Sequence, residues 1–281
     1  MSNARDEESN GQNRKLVLRS LDFWRQDPER TPLLDVRSTP TSTPGQQECD
    51  DSITVAHIPL ADLSSRNFEL PPRNVRFAVL FDNSCNLDAL EEILLGRKPW
   101  KVVYGINTSD KDQALLEIPN SLQQFPKPRL WEPDTMVRDV LLPVLLERTK
   151  PAQEIWDLGA GAGRDVCFLA ESLPQATTVV AFDHRYRNET DPIHAFFERR
   201  GVAKNTKVCC TNVANISQFT CDCLYMVRYW NRTLVQRISE QARSSTVVAV
   251  SQFGKPHVGA DWPFAHPKVR VSDDVISVCI A

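Results

Sequence analysis

Short apolar runs alternate with stretches of helical period along most of the chain. Pro32-Leu33-Leu34-Asp35-Val36, Phe77–Phe81 and Lys101–Tyr104 have strand length and strand composition. Between the last two, Leu87, Leu90, Ile93 and Leu94 recur at helical spacing, and Gly96 stands where a helix would terminate. Strand, tight loop, helix and strand make a βαβ unit, which predicts a parallel sheet covered by helices.

A second series begins at Asp134, which can cap a helix with the apolar face Val137, Val140, Leu141, Val144 and Leu145, bent at Pro143. Glu154–Leu158 reads as a strand, Gly159-Ala160-Gly161-Ala162-Gly163 as the turn after it, and Arg164–Leu173 as a helix ended by Pro174. Thr177–Phe182 is the next strand. Asp191 caps the following helix, with Pro192 in its first turn and Gly201 at its close. Lys207–Cys210, Cys221–Val227 and Thr246–Val250 supply three further strands. Five strands with intervening helices predict an open, doubly wound α/β sheet of Rossmann-like type.

Length agrees with two domains: 281 residues at about 150 per domain. Residues 1–14 are polar and expected to be a disordered tail. Residues 15–118 form the first α/β domain, and residues 134–281 the second. Residues 119–133 hold Pro119, Pro126, Pro128 and Pro133 and read as a linker.

Composition narrows the function classes. Hydrophobic residues are 41% and charged residues 25%, as in ordinary globular proteins. Lys+Arg 33 against Asp+Glu 36 leaves a net charge of −3, which disfavours nucleic acid and anionic membranes as partners. No apolar run approaches the roughly 18–20 residues that span a bilayer, and the acidic start lacks a signal-peptide core. A soluble, cytoplasmic protein is expected. The 8 cysteines include no C-x-x-C, and no nearby His pair completes a zinc pattern, so no metal site is expected and the cysteines read as buried thiols.

The strongest chemical signal is the strand that ends in Asp157-Leu158 and runs through Gly159, Gly161 and Gly163 into a helix. Glycines let the backbone turn sharply and approach a ligand where a Cβ would collide. The next strand ends at Asp183, 20 residues after Gly163. A carboxylate there can accept both ribose hydroxyls, each charge-assisted bond being worth roughly 1.5–3 kcal/mol. A nucleoside-bearing cofactor is the natural occupant. A dinucleotide fingerprint G-x-G-x-x-G would need glycine where Arg164 stands, and Asp157 would repel a pyrophosphate. The acidic residue before the turn suits a cationic ligand such as S-adenosylmethionine, with its amino group and sulfonium.

EIWDLGAGAGRD (154–165), followed by VVAFDH (179–184), resembles motif I and the acidic strand end of class I S-adenosylmethionine-dependent methyltransferases. The GRD ending and the Met226–Arg232 stretch resemble the tellurite-resistance-type branch. The resemblance implies that Asp157, Gly159 and Gly161, with Gly163 completing the turn, line the methionine moiety. Asp183 would hold the ribose, with His184 close to the adenine. Asn212-Val213 stands where the family places an acidic adenine contact, and Asn212 would offer its side-chain carbonyl instead. Met226 to Arg228 would border the methyl-transfer site. His257, His266, Tyr229 and Asp261 lie in segments that would roof it, and spacing chooses no catalytic residue among them. Only 31 residues follow Val250, too few for the helix and antiparallel pair with which the family continues. The sheet is therefore expected to be truncated after strand five.

Residues 15–118 resemble a rhodanese-like domain through Leu33–Arg37, Ala56-His57-Ile58-Pro59 and the strand Phe77–Phe81 with its loop and helix. That family places a persulfide-bearing cysteine directly after the strand. Here the position is Asp82, and Cys85 comes three residues late. The resemblance implies a non-catalytic module that docks a protein partner. Taken together, these features read as a methyltransferase whose acceptor is a small molecule or a protein. The alternatives are a sulfurtransferase using Cys85 and a non-catalytic S-adenosylmethionine-binding protein.

Overall fold

The computed structural model describes residues 15–29, 31–38, 54–108, 129–186, 192–229 and 231–251. The chain divides into two compact units, Met1–Glu132 and Pro133–Ala281. The 1–14 tail, residues 119–128 of the expected linker, the Asp191 cap, and His257, Asp261 and His266 lie outside the described residues. So does everything after Ser251, and with it the question of where the second sheet ends.

In the first unit, chain order is β1 (Leu18–Arg19), α1 (Leu21–Arg25), β2 (Leu33–Asp35), β3 (Val55–His57) and α2 (Leu60–Leu63), then β4 (Arg76–Asp82), α3 (Leu87–Leu95) and β5 (Lys101–Thr108). All pairings are parallel, in the order β1-β5-β4-β2-β3. Alternate residues of β4 divide between two cores: Phe77, Val79 and Phe81 pack with Leu90 and Leu94 of α3, whereas Ala78 and Leu80 pack with Leu21 of α1. That alternation is what a strand buried on both faces requires. Asn86 caps α3 by accepting the Ala89 N–H at 3.1 Å. Leu130 and Trp131, at the end of the expected linker, are buried, and Leu130 belongs to the first unit's core.

The second unit opens with Asp134, whose carboxylate accepts the Met136 N–H at 3.0 Å. A π-helical turn, Val137–Leu141, runs into α4 (Leu142–Leu146). Pro143 lacks an N–H and its ring crowds the preceding turn, so the wider π turn absorbs the misfit expected as a bend. Then come β6 (Glu154–Leu158), α5 (Arg164–Ser172), β7 (Thr178–Phe182), α6 (Pro192–Arg200) and β8 (Thr206–Cys209), followed by β9 (Cys223–Val227), α7 (Arg232–Gln241) and β10 (Val247–Ser251). Among the described residues the sheet is parallel, in the order β10-β9-β6-β7-β8. It is a doubly wound, Rossmann-like α/β arrangement that reverses direction between β6 and β9, the point where such sheets open a crevice at their carboxyl ends. One face packs Trp156, Leu158, Leu224 and Met226 against Leu234 and Ile238 of α7.

The link between α5 and α6 is a buried ion pair. Arg200 Nη2 and Nε lie 2.6 and 2.7 Å from Glu171 Oε1, with side chains 7% and 1% exposed. Among the described residues no helix is long and apolar enough to cross a membrane. Glu171→Ala takes this carboxylate from a buried guanidinium and is expected to cost about 3–5 kcal/mol of unfolding free energy by urea titration. A loss below about 1 kcal/mol would mean that the pair does not hold the two helices.

Candidate functional site

The site is built from the carboxyl end of β6 upward. The N–H groups of Gly159 and Ala160 both donate to the Phe182 carbonyl, at 2.8 and 3.0 Å, and the Gly163 N–H closes on the Ala160 carbonyl at 2.9 Å. Gly159, Gly161 and Gly163 have φ of 91°, 60° and 75°, the left-handed region that side chains other than glycine rarely adopt. Because the turn is stitched to the last residue of β7, the next residue, Asp183, meets its middle. Asp183 Oδ2 accepts the Gly161 N–H at 3.1 Å.

The three glycines are required for different reasons. A Cβ on Gly163 would stand 2.6 Å from Ile193 Cδ1 and 3.0 Å from Phe197, so this position lets α6 approach the start of α5. Its glycine, expected at a cofactor, is explained by helix packing. Gly159 lies beneath the Tyr229 ring, whose Cγ is 2.9 Å from the Cβ position. Over Gly161 the nearest atom is Arg185 Nη2, at 3.5 Å.

Asp183 is buried, and its carboxylate is already engaged. Oδ1 accepts the Arg185 N–H at 2.9 Å and Nε at 3.0 Å, while Oδ2 accepts Nη2 at 2.9 Å. Burial raises its pKa, but the Arg185 fork and the two backbone N–H groups outweigh that and leave the carboxyl below its ordinary range. His184 has Nδ1 3.5 Å from Asp183 Oδ1 and is 69% exposed.

Asp157 faces the opposite way from the Trp156 core, beside Tyr225 in the parallel register of β6 and β9. Both are buried. Burial pushes the Asp157 carboxyl well above its usual range, and the charges of Asp165 and Asp183 push it further, against a smaller lowering by the Tyr225 phenol. That phenol oxygen is fully buried and completes no regular hydrogen bond among the described residues. Asp165 accepts the Asp134 N–H at 2.7 Å and is also raised, chiefly by burial. Asp134 in turn lies 3.7 Å from Arg228, a non-glycine residue with φ of 55° at the end of β9.

The remaining expected contacts sit differently. Asn212 spends its side-chain carbonyl on the Ala214 N–H at 3.0 Å, as the cap of a short turn. Val213 and Met226 are 3% and 0% exposed, and both side chains pack in the sheet core with Trp156 and Leu224. At Met226, then, only backbone borders the crevice. Sequence reasoning missed Arg185, Asp165 and Tyr225. Arg185 had a signal, since the Asp-x-Arg spacing at a strand end also occurs at Asp35-Val36-Arg37. Tyr225 had none, because its position beside Asp157 depends on which strands pair.

In the first unit, Asp82 Oδ1 accepts the N–H and the hydroxyl of Ser84 at 2.9 and 2.5 Å. The Asp82 carboxylate therefore takes both Ser84 donors within the loop. Cys85 packs against the core, and burial with the Asp82 charge pushes its thiol up to about 11.

No protein-family model matches the chain, and no curated protein matches it. Among solved structures, an S-adenosylmethionine-dependent O-methyltransferase from Thermotoga maritima aligns over 40% of this chain and 42% of its own, at 16% identity and a TM-score of 0.34. Coclaurine N-methyltransferase bound to N-methylheliamine and S-adenosylhomocysteine aligns over 40% and 34%, at 19% identity and 0.33. The cyclase SpnF aligns over 44% and 48%, at 15% identity and 0.35. The alignments span less than half the length of each of these proteins. At such scores the likeness decides nothing about chemistry.

Two measurements probe the site electrostatics. Asp157 keeps its proton in the folded protein to a pH where the unfolded chain has released it near 3.8, so this stabilisation is complete at acid pH and lost as pH rises through the folded value. Asp165 acts in the same sense, Asp183 in the opposite one. Asp157→Asn is expected to flatten the decline in unfolding free energy between about pH 4 and 8 and to exceed the parent protein at the upper end. A less stable Asn variant at about pH 8 would refute the assignment. For Cys85, a thiol raised to about 11 is about one part in a thousand thiolate at pH 8, so iodoacetamide should alkylate it far more slowly than free cysteine.

Proposed function

We propose that the Pro133–Ala281 unit binds S-adenosylmethionine and transfers its methyl group, as a class I methyltransferase of the tellurite-resistance-type branch. The observation that carries this is the meeting of Asp183 with the Gly161 N–H, which sets a carboxylate for a ribose beside a glycine turn. The residues below suit the rest of such a ligand. Asp157 is a buried carboxyl beside the buried phenol of Tyr225. A cationic ligand would favour the ionised form of Asp157, and the Tyr225 hydroxyl beside it could donate to that carboxylate. Asp183 would orient the ribose through its two hydroxyls.

S-adenosylmethionine supplies a methyl carbon activated by its sulfonium. Transfer is a direct displacement, so the chain's task is to align donor and acceptor and keep water out. The acceptor is read as a small molecule or a protein side chain, and the net charge of −3 disfavours nucleic acid.

The first unit is read as a rhodanese-like module that docks a protein partner in the cytoplasm. Asp82 stands where a persulfide would form, and the raised Cys85 thiol argues against sulfur transfer.

Calorimetry should show S-adenosylmethionine binding without NAD binding. Asp183→Ala should weaken it tenfold or more, about 1.4 kcal/mol. Preferential NAD binding, or unchanged affinity in the variant, would overturn the cofactor assignment. Labelled-methyl transfer into fractionated extract then separates an enzyme from a protein that only binds.

A further inference from the structure

The carboxylate assigned to the ribose has no acceptor capacity left. A carboxylate offers about four lone-pair directions. Asp183 fills them with the Arg185 N–H, Arg185 Nε, Arg185 Nη2 and the Gly161 N–H, at 2.9, 3.0, 2.9 and 3.1 Å. Two of these donors are backbone groups, one in the glycine turn and one two residues after the carboxylate. The other two belong to one side chain, which also lies over Gly161.

The first unit contains the same fork. Arg37 donates to Asp35 through its N–H at 3.1 Å, Nε at 2.9 Å and Nη2 at 2.8 Å. Spacing and geometry match, but burial does not. The Arg37 side chain is 1% exposed, against 66% for Arg185. Releasing Arg37 would strand two charges away from water, whereas the Arg185 guanidinium can swing into solvent. The Asp183 carboxylate it leaves, 5% exposed, keeps the Gly161 and Arg185 N–H groups and would be paired again by an incoming diol.

We infer that Arg185 is a competitive latch: its guanidinium occupies the two acceptor positions of Asp183 that a ribose diol needs, and the nucleoside binds by displacing it. This rests on the reading of Asp183 as the ribose carboxylate. The latch lowers apparent affinity by the fraction of molecules whose carboxylate is free. Salt screens the exposed guanidinium more than the buried carboxylate, so the latch weakens in part as ionic strength rises. A diol making two charge-assisted hydrogen bonds can outcompete it.

The test is calorimetry of S-adenosylhomocysteine with the full chain, Arg185→Ala and Arg185→Lys, at about 50 and 500 mM KCl. Arg185→Ala is expected to bind about fivefold tighter than the parent at low salt, with a smaller ratio at high salt. Arg185→Lys, which keeps the charge but loses the planar fork, should fall between them. Equal or weaker binding by Arg185→Ala at low salt overturns the latch and leaves the cofactor assignment standing. No binding by either the parent or Arg185→Ala overturns the ribose assignment and the latch with it.

Discussion

The Phe182 carbonyl accepts the N–H groups of both Gly159 and Ala160, and the candidate site depends on that double bond. It ties the turn after β6 to the last residue of β7. One residue further on, Asp183 has only one turn to reach, and it takes the Gly161 N–H. The left-handed φ values at the three glycines follow from the same constraint, since a tight strand-to-helix connection can satisfy these donors only in that conformation.

Burial decides what each charged group near the site can do. The two Asp-x-Arg forks make the same hydrogen bonds, yet one is sealed in a core and the other has a buried carboxylate whose guanidinium partner lies open to water. A sealed pair holds a strand end in place, because breaking it leaves unpaired charge in a poor solvent. An open pair is exchangeable. The same contrast separates the two aspartates: Asp183 is held ionised by its donors, whereas Asp157, buried beside other acids, is driven toward its protonated form. Two carboxyl groups at the ends of neighbouring parallel strands are thus pushed in opposite directions.

Much of the fold was legible from periodicity. The strands of the second unit lie within a residue or two of the apolar runs, and the π turn stands ahead of Pro143, where proline crowding demands relief. The short helices α1 and α2 of the first unit escaped, as did two of its strands, β1 and β3, of two and three residues. Runs that short carry no period, and their strand character comes from pairing with β5 and β2. The residues expected as contacts divided similarly. Val213 and Met226 were expected from the family resemblance, but side-chain direction alternates along β9, and Met226 falls on the core side.

By itself, the sequence determined the alternation of strands and helices, the glycine turn after Asp157 and the carboxylate that ends the next strand, because each is written in local spacing. Tertiary structure decided the rest. Pairing of β6 with β9 set Tyr225 beside Asp157, the approach of α6 claimed Gly163, and solvent exposure separated Arg185 from Arg37. Those outcomes depend on contacts between residues far apart in the chain and on how much water reaches them, and neither quantity is encoded in the order of neighbouring residues.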